Sequence, residues 1–158
     1  MNIRLADHRD IDRLTDLRLD FFRECFEPQS AEETARLAEA LGNYFSGHLG
    51  HDFLAVLAET PDREVAAAAF LTVLERPPSP VAPNGRIGDV GNVLVYPAYR
   101  RQGLATRVMS RLIEEARSLG LSRIDLAATP AGRAVYLKLG FVEHGGHTQL
   151  QLPLIGGR

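Results

Sequence analysis

The segment from Val93 to Thr106 constrains the fold most, because it joins an apolar strand to an amphipathic helix through a short loop. The apolar run Val93-Leu94-Val95 breaks at Pro97, and Gly103 precedes the helix. Backbone N–H groups at such a junction point out of the loop, and the positive end of the helix dipole lies behind them. Glycine also lets a ligand approach the backbone closely. The junction therefore predicts an α/β unit that binds an anion, and a pyrophosphate is the anion that fits it best.

Two common phosphate-binding patterns are absent at this junction. The chain contains no Gly-x-x-x-x-Gly-Lys-Ser/Thr run, and no Gly-x-Gly-x-x-Gly follows a strand. The pattern that remains, Arg100-x-x-Gly103-x-Ala105, resembles the acyl-CoA pyrophosphate motif of the GNAT superfamily of N-acyltransferases, Arg/Gln-x-x-Gly-x-Gly/Ala. An ordinary strand-to-helix loop with exposed arginines is the alternative interpretation.

Length and composition favour one ordinary globular domain, which we place at residues 1–158. The hydrophobic fraction is 45%, the charged fraction is 24%, and the net charge of −2 argues against a nucleic-acid partner. No apolar run approaches the roughly 20 residues of a membrane span, so no membrane partner is predicted. Cys25 is the only cysteine, which excludes an internal disulfide and favours a reducing, cytoplasmic location.

Apolar periodicity and turn residues predict the order β-α-α-β-β-β-α-β-α-β-β, a mixed α/β fold. The predicted strands and helices are a strand at 2–5, helices from Ile11 and from the capping box at Ser30, a hairpin of 53–58 and 65–74, a strand at 87–95, a helix from Leu104 to Gly120, a strand at 124–127, a helix capped by Thr129, and a final hairpin of 141–144 and 147–152. Gly47 should end the second helix, and Gly91 suggests a bulge in the strand that contains it.

A second pattern strengthens the resemblance to the GNAT superfamily. Residues 127–141 form a predicted strand end and a helix that carries Ala-x-x-x-Tyr136-x-x-x-Gly-Phe, which is similar to the other signature of that superfamily. Many relatives have Asn at the position of Thr129 and Ala at the position of Gly132, so this chain departs from the pattern of the superfamily at these two positions. The resemblance implies a central sheet that is mixed and mostly antiparallel, flanked by helices.

The resemblance also implies which residues bind acetyl-CoA, the co-substrate of the family. The fourth strand should bind pantetheine as an added strand would, and the loop and the first helical turn should bind the pyrophosphate. Arg107 could face the phosphates or could be a solvated helix arginine. The predicted binding residues are Val93, Leu94, Val95, Arg100, Arg101, Gln102, Gly103, Leu104, Ala105, Thr106, Arg107, Thr129 and Tyr136.

Tyr136 occupies the position where the family has its general acid, which protonates the departing thiolate. A phenol of pKa about 10 can donate to a thiolate of pKa near 8.5 while staying neutral itself. A tyrosine that only packs in the core is the alternative. A backbone N–H near Leu94 is the expected oxyanion donor. Asp89 is a candidate base and Asn92 could orient a water, although a water relay without any single base stays open. Two pairs of histidines lack a third ligand, so we predict no metal site.

The main functional hypothesis is an enzyme that transfers an acetyl group from acetyl-CoA to the primary amine of a small molecule, by direct attack in a ternary complex. The acceptor should contact the first two helices, the loop at 24–29 and the proline-rich loop at 76–85. A protein acetyltransferase, acting on an N-terminus or a lysine, and a non-catalytic acyl-CoA-binding module are the alternatives. A homodimer is an open prediction.

Overall fold

The computed structural model describes residues 1–156 and contains five strands and four α-helices in this part of the chain. The bounds are β1 (Asn2–Leu5), α1 (Ile11–Cys25), α2 (Ala31–His48), β2 (Phe53–Glu59), β3 (Val65–Glu75), β4 (Arg86–Val95), α3 (Leu104–Ser118), β5 (Arg123–Leu126) and α4 (Arg133–Lys138). Short 3₁₀ turns precede α1 at His8–Asp10 and follow β4 at Pro97–Tyr99.

The strands form one sheet in the order β1-β2-β3-β4-β5. The first four strands are antiparallel neighbours, while β5 pairs with β4 in parallel. The predicted fold class, a mixed and mostly antiparallel sheet flanked by helices, is therefore confirmed. The parallel pair is reached through α3, which crosses over the sheet between β4 and β5 as parallel pairing requires.

Each face of the sheet has its own apolar core. On one face, α3 packs Leu104, Val108, Met109 and Leu112 against small side chains of β2 and β3. On the other, α1 and α2 pack Leu14, Leu17 and Phe45 against Phe53, Phe70 and Leu94. Because both faces are covered, β2 and β3 have the continuous apolar sequences from which central strands were predicted.

Two helix starts test the capping predictions. Ser30 accepts a hydrogen bond from the Glu33 N–H and Glu33 accepts one from the Ser30 N–H, so the predicted capping box is confirmed. Gly47 does not end α2, which continues through His48. Thr129 caps a turn rather than α4 itself: its hydroxyl accepts from the Gly132 N–H, and the helix begins only at Arg133.

The final hairpin predicted at 141–144 and 147–152 is wrong, because the structure has no strand in either segment. A two-residue type I′ turn needs positive φ at both central glycines, and only Gly146, at φ 92°, has it. The apolar side chains that should have formed a buried face are exposed, by 89% at Leu150 and 82% at Leu152. A hairpin without a surface to pack against is marginal at best.

A buried ion network joins β1, α1 and β2. Arg4 bonds Asp10 at 2.8 and 2.9 Å and Glu59 at 2.6 and 2.9 Å, and Arg13 also bonds Glu59 at 2.7 Å. Asp10 and Glu59 are only 6% and 4% exposed. The hydrogen bonds from Arg4 are the main cause that lowers the pKa of both carboxyls below the usual range. A cavity of about 380 Å³ opens beside this network, at the β1 end of the sheet.

Candidate functional site

The β4 strand contains a bulge at the centre of the predicted site. Leu94 and Gly91 pair with residues on either side of Ala69, so Asn92 and Val93 together stand opposite that one residue. Asn92 has φ 57°, in the left-handed region, and this residue makes the bulge. The sequence had suggested a bulge at Gly91. In the structure the bulge lies at the next residues, Asn92 and Val93.

Beyond the bulge, β4 has a free edge. The parallel pairing with β5 covers only residues 87–90 of β4. The Tyr96 N–H donates to the carbonyl of Ala66 on β3 at 3.0 Å. The backbone N–H and C=O groups of successive residues point to alternate edges of a strand. Because those of Tyr96 point towards β3, those of Val95 and Val93 point to the other edge, which β5 does not cover. A contact of Val95 is consistent with this orientation: its carbonyl accepts a hydrogen bond from Arg100 Nε at 3.0 Å and not from a strand.

The loop after β4 presents a run of N–H donors. In residues 1–156, the backbone N–H groups from Arg101 to Thr106 donate to no backbone carbonyl. Arg101 and Gly103 both have positive φ, of 61° and 72°, which turns the chain into α3 without a side-chain cap. Unpaired donors at a helix N-terminus are the arrangement that anions bind, and the anion site expected at this loop stays a prediction.

The arginines around this loop are placed differently from one another. Arg100 holds the loop to β4 through Val95 and lies 3.4 Å from a Glu24 oxygen on α1. Arg101 is exposed at the loop tip, and Arg107 donates to the carbonyl of Met1, just before β1, at 3.3 Å. Arg101 is thus the arginine that no described contact holds in place.

Tyr136 lies on α4, on the α3 side of the sheet, and packs edge to face on Phe141 with ring centroids 5.9 Å apart. Val93 and Val95 pack against the same core. In the described part of the chain, the Tyr136 hydroxyl makes no hydrogen bond, and burial raises the pKa of this phenol. The tyrosine is therefore neutral at physiological pH and its proton is uncommitted.

Asp89 lies on β4 on the same face as Gly91, since the two are separated by one residue. Its register partner on β5 is Asp125, whose carboxylate is bonded by Arg123 at 3.0 and 3.2 Å. Partial desolvation by the sheet and repulsion from Asp125 raise the pKa of Asp89, although its side chain keeps contact with solvent. A raised pKa makes this carboxylate a better proton acceptor than an ordinary one.

Asn92 is buried, 2% exposed, and its Nδ2 has no hydrogen-bond partner among the described residues. Its Oδ1 accepts from Arg18 NH1 of α1 at 3.4 Å. Sequence reasoning missed Arg18, although its position four residues after Leu14 on the apolar face of α1 is an unusual one for an arginine. In residues 1–156 no group of three or more metal-ligating side chains occurs, and no helix has the length and apolarity of a bilayer span.

Comparison with known proteins identifies the family. The family model described as "Acetyltransferase (GNAT) family" matches residues 11–141. This chain belongs to the GNAT acetyltransferase family. It is 39% identical over 95 residues to glucosamine 6-phosphate N-acetyltransferase 1 of Oryza sativa subsp. japonica, a match that covers 60% of this chain and 56% of the relative. The chain thus spans little more than half the length of the curated relatives it matches.

Solved structures agree with this fold. The crystal structure of a predicted acetyltransferase with acetyl-CoA from Clostridium acetobutylicum is 29% identical, with a TM-score of 0.81 over 95% of each chain. A GCN5-related N-acetyltransferase from Ralstonia eutropha JMP134 has a TM-score of 0.81 at 24% identity, over 98% of this chain and 99% of that one. This second likeness concerns the fold alone.

Proposed function

We propose that this chain transfers an acetyl group from acetyl-CoA to a primary amine of a small molecule, by direct attack in a ternary complex. The unpaired N–H groups from Arg101 to Thr106, next to the free edge of β4, carry this proposal. Pyrophosphate needs the first feature and the amides of pantetheine need the second. The relative from Clostridium acetobutylicum, solved with acetyl-CoA, supports the choice of co-substrate.

The reaction requires the protein to stabilise an oxyanion, to donate a proton to the leaving sulfur and to accept a proton from the amine. A new C–N bond forms as the neutral amine attacks the thioester carbonyl, and the Val93 or Val95 N–H on the free edge stabilises the oxyanion. The C–S bond then breaks, and Tyr136 donates its proton to the departing sulfur. The proton released by the amine goes to Asp89 or through water to solvent. Asn92, with its side chain buried, is better suited to shape the bulge than to orient a water.

A small-molecule acceptor is favoured over a protein because the matched relatives from Oryza sativa are named for a phosphorylated amino sugar. The acceptor would enter between α1, α2 and the loop at 76–85. The sheet face there carries Gly91 and Asp89, so the amine can approach the bulge from the side opposite α3.

Release of the CoA thiol from acetyl-CoA, measured across a panel of small amines and peptides, tests the proposal. We expect thiol release that depends on a small amine and matches the acetylated amine formed. Release with peptides alone would indicate a protein acetyltransferase. Tight acetyl-CoA binding by calorimetry without release with any acceptor would indicate a binding module instead.

A further inference from the structure

The guanidinium of Arg18 is short of hydrogen-bond acceptors. Its one hydrogen bond within residues 1–156 is the contact of 3.4 Å to Asn92 Oδ1, and it forms no ion pair with a carboxylate. It lies over the Phe22 ring, with 4.4 Å between the guanidinium carbon and the ring centroid. Burial is the main cause that lowers the pKa of Arg18, so this charge is partly removed from water without being neutralised.

The neighbour of Arg18 is short of an acceptor as well. The Nδ2 of Asn92 is buried and has no partner in the described part of the chain. An unsatisfied buried donor costs roughly 1–3 kcal/mol. The Asn92 Nδ2 is sealed from solvent, so the partly exposed guanidinium of Arg18 is the group that can donate to the oxygens of an anion.

Arg18 lies on the side of the sheet where the acceptor is proposed to bind, away from the loop proposed for acetyl-CoA. The Asn92 amide that holds it belongs to the β4 bulge, and the guanidinium lies on the α1 face of the sheet. A Cβ on Gly91 would have Arg18 NH1 as its nearest neighbour, at 3.9 Å, so no side chain of β4 separates strand and guanidinium there. The run of N–H donors from Arg101 to Thr106 lies instead beyond the end of β4.

We propose that Arg18 binds an oxyanion, a phosphate or a carboxylate, carried by the amine acceptor. This inference rests on the proposed function. An arginine fork suits either group because it can donate two parallel N–H bonds to two oxygens. Asn92 positions the fork, and the Phe22 ring supports it from one side. The enzyme would thereby select amines that carry a negative group at a fixed distance from the nitrogen.

The test compares matched acceptors that differ in charge: glucosamine 6-phosphate against glucosamine for phosphate, and alanine against alaninamide for carboxylate. The wild-type enzyme should prefer the anionic member of one pair at least tenfold in kcat/KM. Arg18→Met, which keeps an unbranched stem on Phe22, should lose this preference through KM while the neutral member changes less than threefold. Arg23→Met removes an exposed charge from the same helix and should keep the preference.

Three further measurements separate the outcomes. Arg18→Lys should keep part of the preference, because it retains the charge without the fork. In the wild type, at saturating acetyl-CoA and matched ionic strength, inorganic phosphate or acetate should compete with the anionic acceptor and should inhibit transfer to the neutral acceptor much less. Equal kcat/KM for the charged and neutral members, or an undiminished preference in Arg18→Met, would overturn the role of Arg18 alone. Failure of the wild type to acetylate any amine would overturn the proposed function.

Discussion

Single side chains at the β4 bulge combine features that a stable core would avoid. Within residues 1–156, Asn92 has positive φ and an unsatisfied amide, and Arg18 has a half-buried charge without a counter-ion. Each feature costs folding free energy, and such costs cluster where a protein binds or reacts. Tyr136 belongs with them, because its hydroxyl has no hydrogen-bond partner in the described part of the chain. Residues with such unfavourable features are thus among those to which we assign function.

Tyr136→Phe should reduce the rate constant for acetyl transfer by roughly 10²–10⁴, because it deletes the proton donor and keeps the ring packed on Phe141. The dissociation constant of acetyl-CoA should barely change, since the phenol acts chiefly as the thiolate forms. Single-turnover kinetics and calorimetry measure the two quantities. Because burial raises the pKa of Tyr136, ionisation of this residue should not reduce the wild-type rate below about pH 10.

Tyr99→Phe is the matched control for this variant. It removes a hydroxyl that donates to Glu64 at 3.0 Å and should leave the transfer rate unchanged. Full activity in Tyr136→Phe, measured where chemistry limits turnover, would show that water or another group protonates the sulfur. Tyr136 would then be a packing residue.

At the scale of elements, the junction between the loop and α3 is the part most open to test. Gly103 has φ 72°, and a Cβ there meets no atom within 4 Å, so Gly103→Glu should not clash with the protein. Its carboxylate would instead lie among the N–H donors proposed for pyrophosphate. We expect CoA affinity to fall at least tenfold, about 1.4 kcal/mol, measured by calorimetry.

Gly120→Glu controls for backbone strain, because Gly120 follows the other end of α3 with φ 71° and equally open surroundings. Both variants should lose similar thermal stability, while Gly120→Glu keeps its affinity for CoA. Equal affinities in the wild type and Gly103→Glu would remove the loop from the binding site.

Local signals in the sequence predicted most elements and failed where a distant partner decides. The capping box at Ser30 and the glycine before α3 act within one turn, so the sequence alone specifies them. The final hairpin had an equally clear local signal in Gly145-Gly146, but strands also need a sheet edge and a buried face. The same holds for the candidate site. The loop at 100–106 could be predicted from its local sequence pattern, whereas the contact between Arg18 and Asn92 could not, because it exists only where α1 packs on β4.

For the whole molecule, the ion network of Arg4, Asp10 and Glu59 ties the N-terminal strand and helix to the sheet. Arg4→Met would leave two buried carboxylates with too few partners and should destabilise the fold by about 3 kcal/mol at pH 7, measured by urea denaturation. Arg9→Met, which breaks only the exposed pair with Asp7, should have little effect on stability.

The pH dependence of this loss identifies its cause. Because the folded pKa values of Asp10 and Glu59 are lowered, their stabilising effect is complete above about pH 5 and is lost as the pH falls through the folded values. The difference between the wild type and Arg4→Met should therefore shrink as the pH is lowered from about 5 towards 3. A constant difference over this range would mean that Arg4 stabilises by packing instead of by charge.

Because β5 pairs with only part of β4, the backbone of β4 is hydrogen-bonded on both edges at one end and on one edge at the other. Residues 87–90 are hydrogen-bonded in a ladder on both sides, whereas the amide protons of Val93 and Val95 lie on an edge that β5 does not cover. Amide protons exchange with solvent deuterium at rates set by such bonds, so one end of β4 should label slowly and the other quickly. The strand thus contains its own reference, against which occupancy of the free edge can be read residue by residue.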